Sequence, residues 1–274
     1  MAAVSGYTWD GLPVAPDEPH GAAILARRSG EYLLLHRAHR GPGYQGDWAW
    51  TPPSGSRQPG ESVLPAAVRE LAEETGFMAA SADLRALDLS GPWAHFGLEV
   101  PVDARPRLDA EHDRFEWLAA LAAIARCKPA VVADGIRLAE SALYAQITFR
   151  PRAETRHVAV VNGRDAGYLE HYRVTGDYAA AVGLPDTVGI DYATGDPESA
   201  SRGLGPQLIW SYVRDVVLPA HPGARHVVAS PDVANIRAVG ALLKAGFAAA
   251  GEITVPGKAG PERLCVLDRG KFFG

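Results

Sequence analysis

The stretch GSRQPGESVLPAAVRELAEETGF, Gly55 to Phe77, constrains this chain more than any other. Glu70, Glu73 and Glu74 stand at i, i+3 and i+4, a spacing that stacks three carboxylates on one face of a helix. Like charges so placed repel, and a helix gains from them only when a cation sits among them. Carboxylate oxygens suit Mg²⁺ or Mn²⁺. Leu64, Ala67, Val68 and Leu71 form an apolar stripe on the same segment, so one side can be buried while the other binds metal. Ser62 is placed to cap the helix start, Pro65 is tolerable in its first turn, and Gly76 marks its end. The alternative is a solvated acidic helix face, which needs neither the glycines nor Arg69.

The full spacing is Gly55, five residues, Glu61, seven residues, then Arg69-Glu70-Leu71-Ala72-Glu73-Glu74-Thr75-Gly76-Phe77. It resembles the Nudix box at every fixed position. That resemblance covers roughly residues 20 to 145 and implies an α/β/α sandwich with a pyrophosphohydrolase site. It places Glu70, Glu73 and Glu74 at the metal-binding positions, with Glu70 and Glu73 in catalytic roles. It adds the carbonyl of Ser54 as a ligand and implies that Arg69 holds a box glutamate. Glu111, five residues before Glu116-Trp117, matches a later acid that in some members joins the metal site or acts as base; the alternative is a turn acid. Ser54-Gly55 departs from the family's usual pair of glycines.

Substrate choice is less legible. Arg37 and Arg40 could clamp phosphates, and Trp48, Tyr44 or Trp50 could stack on a base. A solvated loop and a core tryptophan account for the same residues, and His36 and His39 are equally ambiguous. The expected partner is a small phosphorylated molecule, a nucleoside di- or triphosphate or another X-diphosphate.

Around the box, Gly21–Arg27 and Tyr32–His36 read as a hairpin across a polar turn. Residues 1–20, with three prolines, read as an arm that packs on the domain without defining it. Leu84–Leu89, Ala94–Val100 and Phe115–Leu118 read as strands, and Pro129 opens a helical pattern to about Ala145.

Composition resets after residue 146. Ile147–Pro151 reads as a strand, and His157–Val161 and Ala166–Glu170 as a hairpin turning at Asn162-Gly163. Val188–Tyr192 is a strand followed by a glycine-bearing loop and an amphipathic helix, an arrangement that presents backbone N–H groups to an anion. His226–Ser230 is a further strand, with a helix after it that ends at Gly246-Phe247. Gly203-x-Gly205, Asn235-x-Arg237-Ala238 and Lys244-Ala245-Gly246-Phe247 together resemble the GNAT acetyltransferase superfamily. Gly189-Ile190-Asp191 before the loop looks like its aminoglycoside 6'-N-acetyltransferase branch. The resemblance implies acetyl-CoA as cofactor, with Arg202, Gly203, Leu204 and Gly205 at the pyrophosphate cradle and Asn235 near the CoA arm. It puts Asp191 at the acid/base position, against the alternative of a strand-end acid, and implies a small amine as acceptor. Three positions depart from the pattern: Ala200 replaces a Gln or Arg, Leu242 replaces a tyrosine acid, and Ile147–Pro151 leads almost directly to His157 where the family has two helices. Either the first domain or a second copy in a homodimer replaces that wall, or the acceptor site is lost.

The fold class expected is therefore α/β (α+β). A Nudix sandwich spans 1–146, with its arm at 1–20, and a shortened GNAT-like mixed-sheet domain spans 147–274. The net charge of −5 gives no attraction to polymeric nucleic acid or to an anionic membrane. No signal peptide or membrane-spanning run is visible. Cys127 and Cys265 are too far apart in sequence to suggest a disulfide framework or thiolate zinc site, which suits a cytoplasmic location. Two functions remain in view: a hydrolase fused to an acetyl-CoA-binding N-acetyltransferase, or a hydrolase whose second domain only docks or dimerises.

Overall fold

The computed structural model describes residues 6–8, 11–142, 146–194, 203–258 and 260–274. The chain divides into two compact units, Met1–Ser141 and Ala142–Phe273.

The first unit contains β1 (Gly21–Arg28), β2 (Glu31–Arg37), β3 (Trp50–Thr51), β4 (Ser54–Ser56) and α1 (Val63–Thr75), then β5 (Arg85–Asp88), β6 (Trp93–Glu99) and β7 (His112–Ala119). Helices α2 (Ala120–Arg126) and α3 (Ala133–Ser141) close it. The sheet runs β3-β2-β1-β6-β5, with β4 added to β1 and β7 to β2. β1 and β6 are parallel, whereas β1 and β2 form the expected antiparallel hairpin. In β2 five consecutive residues are buried, which requires cover on both faces of the sheet. Helix α1 packs on β1 and β4, α2 on β2 and β7, and α3 on β1 and β5.

Leu64, Ala67 and Leu71 are buried in α1 as the stripe requires, and Gly76 ends the helix in the left-handed region at φ 69°. Ser62 takes the N-cap position but its side chain makes no cap bond. The helix expected from Pro129 to Ala145 is shorter: a 3-10 turn occupies Ala130–Val132 and α3 ends at Ser141. The rest of that expected helix, residues 143–145, lies outside the described residues.

The second unit contains β8 (Ile147–Pro151), β9 (Arg156–Val161), β10 (Arg164–Arg173), α4 (Gly176–Val182) and β11 (Thr187–Thr194). Next come α5 (Leu204–Tyr212), which continues through a π turn into α6 (Leu218–Ala220), then β12 (His226–Ala229) and α7 (Ile236–Lys244). β13 (Ala248–Ile253), β14 (Glu262–Asp268) and α8 (Arg269–Phe272) complete it. The order across its sheet is β13-β14-β12-β11-β10-β9-β8. Asn162 and Gly163 turn the β9–β10 hairpin with φ 50° and 79°, the left-handed pair that this two-residue turn requires. β8 pairs directly with β9, without intervening helices. β11 runs parallel to β12 only from Thr187 to Gly189, while its pairing with β10 continues to Thr194. The ladder between β11 and β12 therefore ends before Asp191. Among the described residues no helix is long and apolar enough to cross a membrane.

Candidate active sites

A cleft of about 460 Å³ in the first unit brings Arg37, Trp48, Ser54, Glu70, Glu73 and Glu74 together, and Glu111 also lines it. Arg40 is not among its lining residues; its guanidinium lies over the Tyr44 ring at 5.3 Å. Trp50, by contrast, is wholly buried in the core.

Strand β4 and helix α1 build the floor of the cleft. A Cβ at Gly55 would collide with the Glu70 carboxyl, so glycine is what lets that side chain lie against the strand. The Ser54 N–H donates to Glu74 Oε2 at 2.7 Å. Arg69 fills the space between the acids: Nε and Nη2 donate to the two Glu61 oxygens at 2.8 and 2.9 Å, and Nη1 reaches Glu70 Oε1 at 2.7 Å and Glu73 Oε2 at 3.1 Å. Burial would raise the Glu61 pKa, but bonds from Arg69 and the Gln58 N–H hold it below its ordinary value.

Glu70 and Glu74 respond in the opposite sense. Burial pushes Glu70 up to about 7 against the pull of Arg69. Glu74, only 6% exposed, is pushed well above the carboxylate range, first by burial and then by Glu70, Asp109 and Glu111, with the Ser54 N–H opposing. His112 sits beside it, Nε2 lying 3.8 Å from Glu74 Oε1, while Nδ1 meets Asp109 Oδ1 at 2.8 Å. Burial lowers the His112 pKa, and Asp109 opposes that shift.

The donor set is made of oxygens, and the absence of a side chain at Gly55 is what admits the Glu70 carboxyl to it, a chemistry that fits a hard divalent cation. In the arrangement seen, Arg69 draws Glu70 and Glu73 to itself, and among the described residues no three acids already converge on one point. Glu73 is exposed. Asp109, Trp93 and His112 belong to this neighbourhood and carry no motif that singles them out in the sequence.

In the second unit, Gly203 takes a left-handed conformation at φ 67° and opens α5, where the Leu204 and Gly205 N–H groups have no partners within the helix and Pro206 has no N–H to offer. Arg202 and Ala200 lie outside the described residues. Leu204 is buried, and Gly205 stands where an added Cβ would meet Ala241 at 3.4 Å. The Asn235 side chain is engaged as the N-cap of α7, accepting from the Ala238 N–H at 3.1 Å. Leu242, in the position of the absent tyrosine acid, is fully buried.

Asp191 lies on β11 opposite Glu170. The residue is exposed, but the protein packed around its carboxyl raises its pKa, with Glu170 and Glu262 adding to the shift and Lys258 opposing it. The Tyr172 ring lies across Gly189, where any Cβ would strike it. Beyond Tyr172 stands Tyr178 on α4, whose hydroxyl meets Ser230 Oγ at 3.0 Å; Ser230 in turn donates to Glu262 Oε2 at 2.8 Å. Four separate elements and the end of β12 supply this group, so no local pattern in the sequence announces it.

Residues 18–135 match the family model for the NUDIX domain, and residues 132–255 match that for the acetyltransferase (GNAT) domain. Over 121 residues the chain is 29% identical to the aminoglycoside N(6')-acetyltransferase type 1 of Klebsiella pneumoniae, covering 43% of this chain and 58% of that protein. The chain thus spans little more than half the length of the curated acetyltransferases it matches. An aminoglycoside 6'-acetyltransferase solved with ribostamycin and coenzyme A is 27% identical, with a TM-score of 0.38 over 42% of this chain and 63% of that one. The dihydroneopterin triphosphate pyrophosphohydrolase of E. coli is 22% identical, with a TM-score of 0.37 over 45% of this chain and 95% of that one. The chain is thus similar to the NUDIX domain over residues 18–135 and to the acetyltransferase (GNAT) domain over residues 132–255.

Proposed function

We propose that the first unit is a pyrophosphohydrolase dependent on Mg²⁺ or Mn²⁺, acting on a nucleoside di- or triphosphate or another X-diphosphate. The observation that carries this reading is the carboxylate cradle: Glu70 seated on Gly55 and Glu74 buried behind it, both destabilised as anions until a cation arrives. Glu70, Glu73 and Glu74, with the Ser54 carbonyl and Glu111, would hold the metal. The bound cation would neutralise the pyrophosphate and supply an activated water. Arg37 lies across the cleft, 3.8 Å from Glu111, and would orient a phosphate. Glu74→Gln should lower metal-dependent hydrolysis of a nucleotide and X-diphosphate panel by at least about a hundredfold while circular dichroism stays unchanged. Equal turnover in wild type and variant would remove this assignment.

For the second unit we infer that acetyl-CoA binds with its pyrophosphate at the Gly203–Gly205 turn, and that Asp191 receives the proton of an attacking small amine. The end of the β11–β12 ladder before Asp191 supports this, since the two strands stop pairing beside that carboxylate. A second reading, a docking or dimerisation module, is favoured by buried Leu242 and by the direct β8–β9 connection. Calorimetry separates them: heat of binding with acetyl-CoA up to millimolar concentration supports the enzyme, and its absence supports the module. The buried thiols Cys127 and Cys265 are both free, which accords with a reducing, cytoplasmic setting.

A further inference from the structure

The hydroxyl groups gathered around Tyr178 in the second unit share one direction. Ser230, just past β12, donates its proton to Glu262 Oε2 at 2.8 Å. A hydroxyl has a single proton to give, so at the 3.0 Å contact between Tyr178 and Ser230 Oγ the donor is Tyr178. The Tyr178 oxygen keeps its lone pairs for a donor of its own. Tyr172 is placed to be that donor: the two rings lie 6.4 Å apart and their phenols hydrogen-bond with each other. On its other side Tyr172 hydrogen-bonds with Asp191.

The strands account for this reach. Tyr172 pairs with Gly189 and Glu170 with Asp191 across the β10–β11 ladder, so all four stand on one face. A Cβ at Gly189 would lie 2.3 Å from Cε2 of the Tyr172 ring, and only glycine lets the ring cross β11 there. At the far end, Glu262 is 8% exposed and meets the ammonium of solvent-exposed Lys258 at 3.3 Å. Burial raises the pKa values of both tyrosines, so each phenol stays neutral and can pass one proton on only as it receives another.

We propose that Tyr172, Tyr178, Ser230 and Glu262 form a proton relay that empties Asp191 while an amine is bound. The inference rests on the reading of Asp191 as the group that receives the amine's proton. An amine that arrives as ammonium and leaves as amide gives up two protons from its nitrogen, one before attack and one after it, whereas one carboxylate holds one. The first must leave Asp191 while the amine covers its open side. The N–H bond breaks as Asp191 takes that proton. The Asp191 O–H then breaks as an O–H forms on Tyr172, whose own proton moves to Tyr178, that of Tyr178 to Ser230, and that of Ser230 to Glu262 Oε2. Asp191 ends as a carboxylate, each hydroxyl is unchanged in charge, and Glu262 ends as a neutral acid that loses its proton to solvent beside Lys258. After attack the second proton leaves with the thiol product. Tyr178 and Ser230 act only through Asp191 and are positioning residues.

Tyr178→Phe removes one oxygen from the middle of the chain and keeps the ring. In the full chain, with acetyl-CoA and either ribostamycin or spermidine as probe, kcat near pH 7 should fall about tenfold with both KM values within about twofold of wild type. Near pH 9.5 the loss should shrink to about twofold or less, because more of the amine arrives neutral and has one proton fewer to give up. Ser230→Ala cuts the next link and should show the same profile. An equal loss at both pH values, or wild-type kcat in either variant, overturns the relay. Wild-type protein that acetylates neither amine removes the acetyltransfer reading instead, and the chain is then decided by carbon-13 NMR of the Asp191 carboxyl, assigned with Asp191→Asn. With Tyr178 gone as its partner, Tyr172 donates to Asp191 alone, so Tyr178→Phe should lower the Asp191 titration midpoint by about half a pH unit. Superimposable titrations of wild type and variant overturn the connection.

Discussion

Glu70 is held in a place that suits it poorly as an anion. The residues three and four positions on along α1, Glu73 and Glu74, are acids, its carboxyl rests on Gly55, and burial raises its pKa to about 7 despite the contact with Arg69. The consequence for stability has a definite sign. A carboxylate whose folded pKa exceeds its unfolded value near 4.5 binds its proton more tightly in the native state. Its contribution is fully present below that unfolded value and is lost as pH rises through about 7. Glu74 shifts in the same direction. Histidines such as His95 and His112, whose pKa values burial lowers, act oppositely and lose stability as pH falls below 6.5. Comparing wild type with Glu70→Gln isolates the first effect. In EDTA, the wild-type urea midpoint should fall between about pH 5 and pH 7.5 relative to that of the variant. Saturating Mn²⁺ should abolish the difference in slope, because the cation binds the ionised form; a slope indifferent to Mn²⁺ would argue against a metal at Glu70.

At the scale of elements, legibility follows the range of the interactions. Helix α1 can be read because its three determinants are local: an apolar stripe at 3.6-residue spacing, acids at i, i+3 and i+4, and a glycine able to adopt φ 69°. The Asn162-Gly163 hairpin is equally open, since the turn demands two left-handed residues and the sequence supplies them. Strand β13, with its run of alanines and a glycine, has little strand propensity of its own and exists through its pairing with β14. The arm is illegible for a related reason: its placement depends on Arg57, some forty residues further on, and nothing within residues 1–20 encodes that contact. The sites divide in the same way. Glu70, Glu73 and Glu74 share one helix and can be named together, whereas Asp109 and His112 come beside Glu74, and Tyr178, Ser230 and Glu262 meet one another, only because segments distant in sequence are neighbours. Asn235 shows the limit of a motif: the residue is where the superfamily pattern places it, and its side chain caps α7, a role that contributes about 1 kcal/mol to a helix.

For the whole chain, the decisive property is that each unit has its own sheet and its own buried core. A ligand that binds one folded unit stabilises that unit by mass action, by about 2.7 kcal/mol at a hundred times its dissociation constant. For a unit of this size the shift in Tm is roughly 10 °C. A calorimetric scan of the full chain should therefore show two transitions. Mn²⁺ is expected to raise the one belonging to the unit with the Glu70 cradle, and acetyl-CoA the one belonging to the unit with the Gly203–Gly205 turn. Assignment follows from variants: Glu74→Gln should cancel the Mn²⁺ shift and leave the acetyl-CoA shift intact. If both ligands instead raise one common transition, the two units fold as a single cooperative body and each site reports on the other. If acetyl-CoA moves neither transition while Mn²⁺ moves one, the chain is a hydrolase carrying a GNAT-like module without its cofactor, and the acetyltransfer reading falls while the hydrolase reading stands.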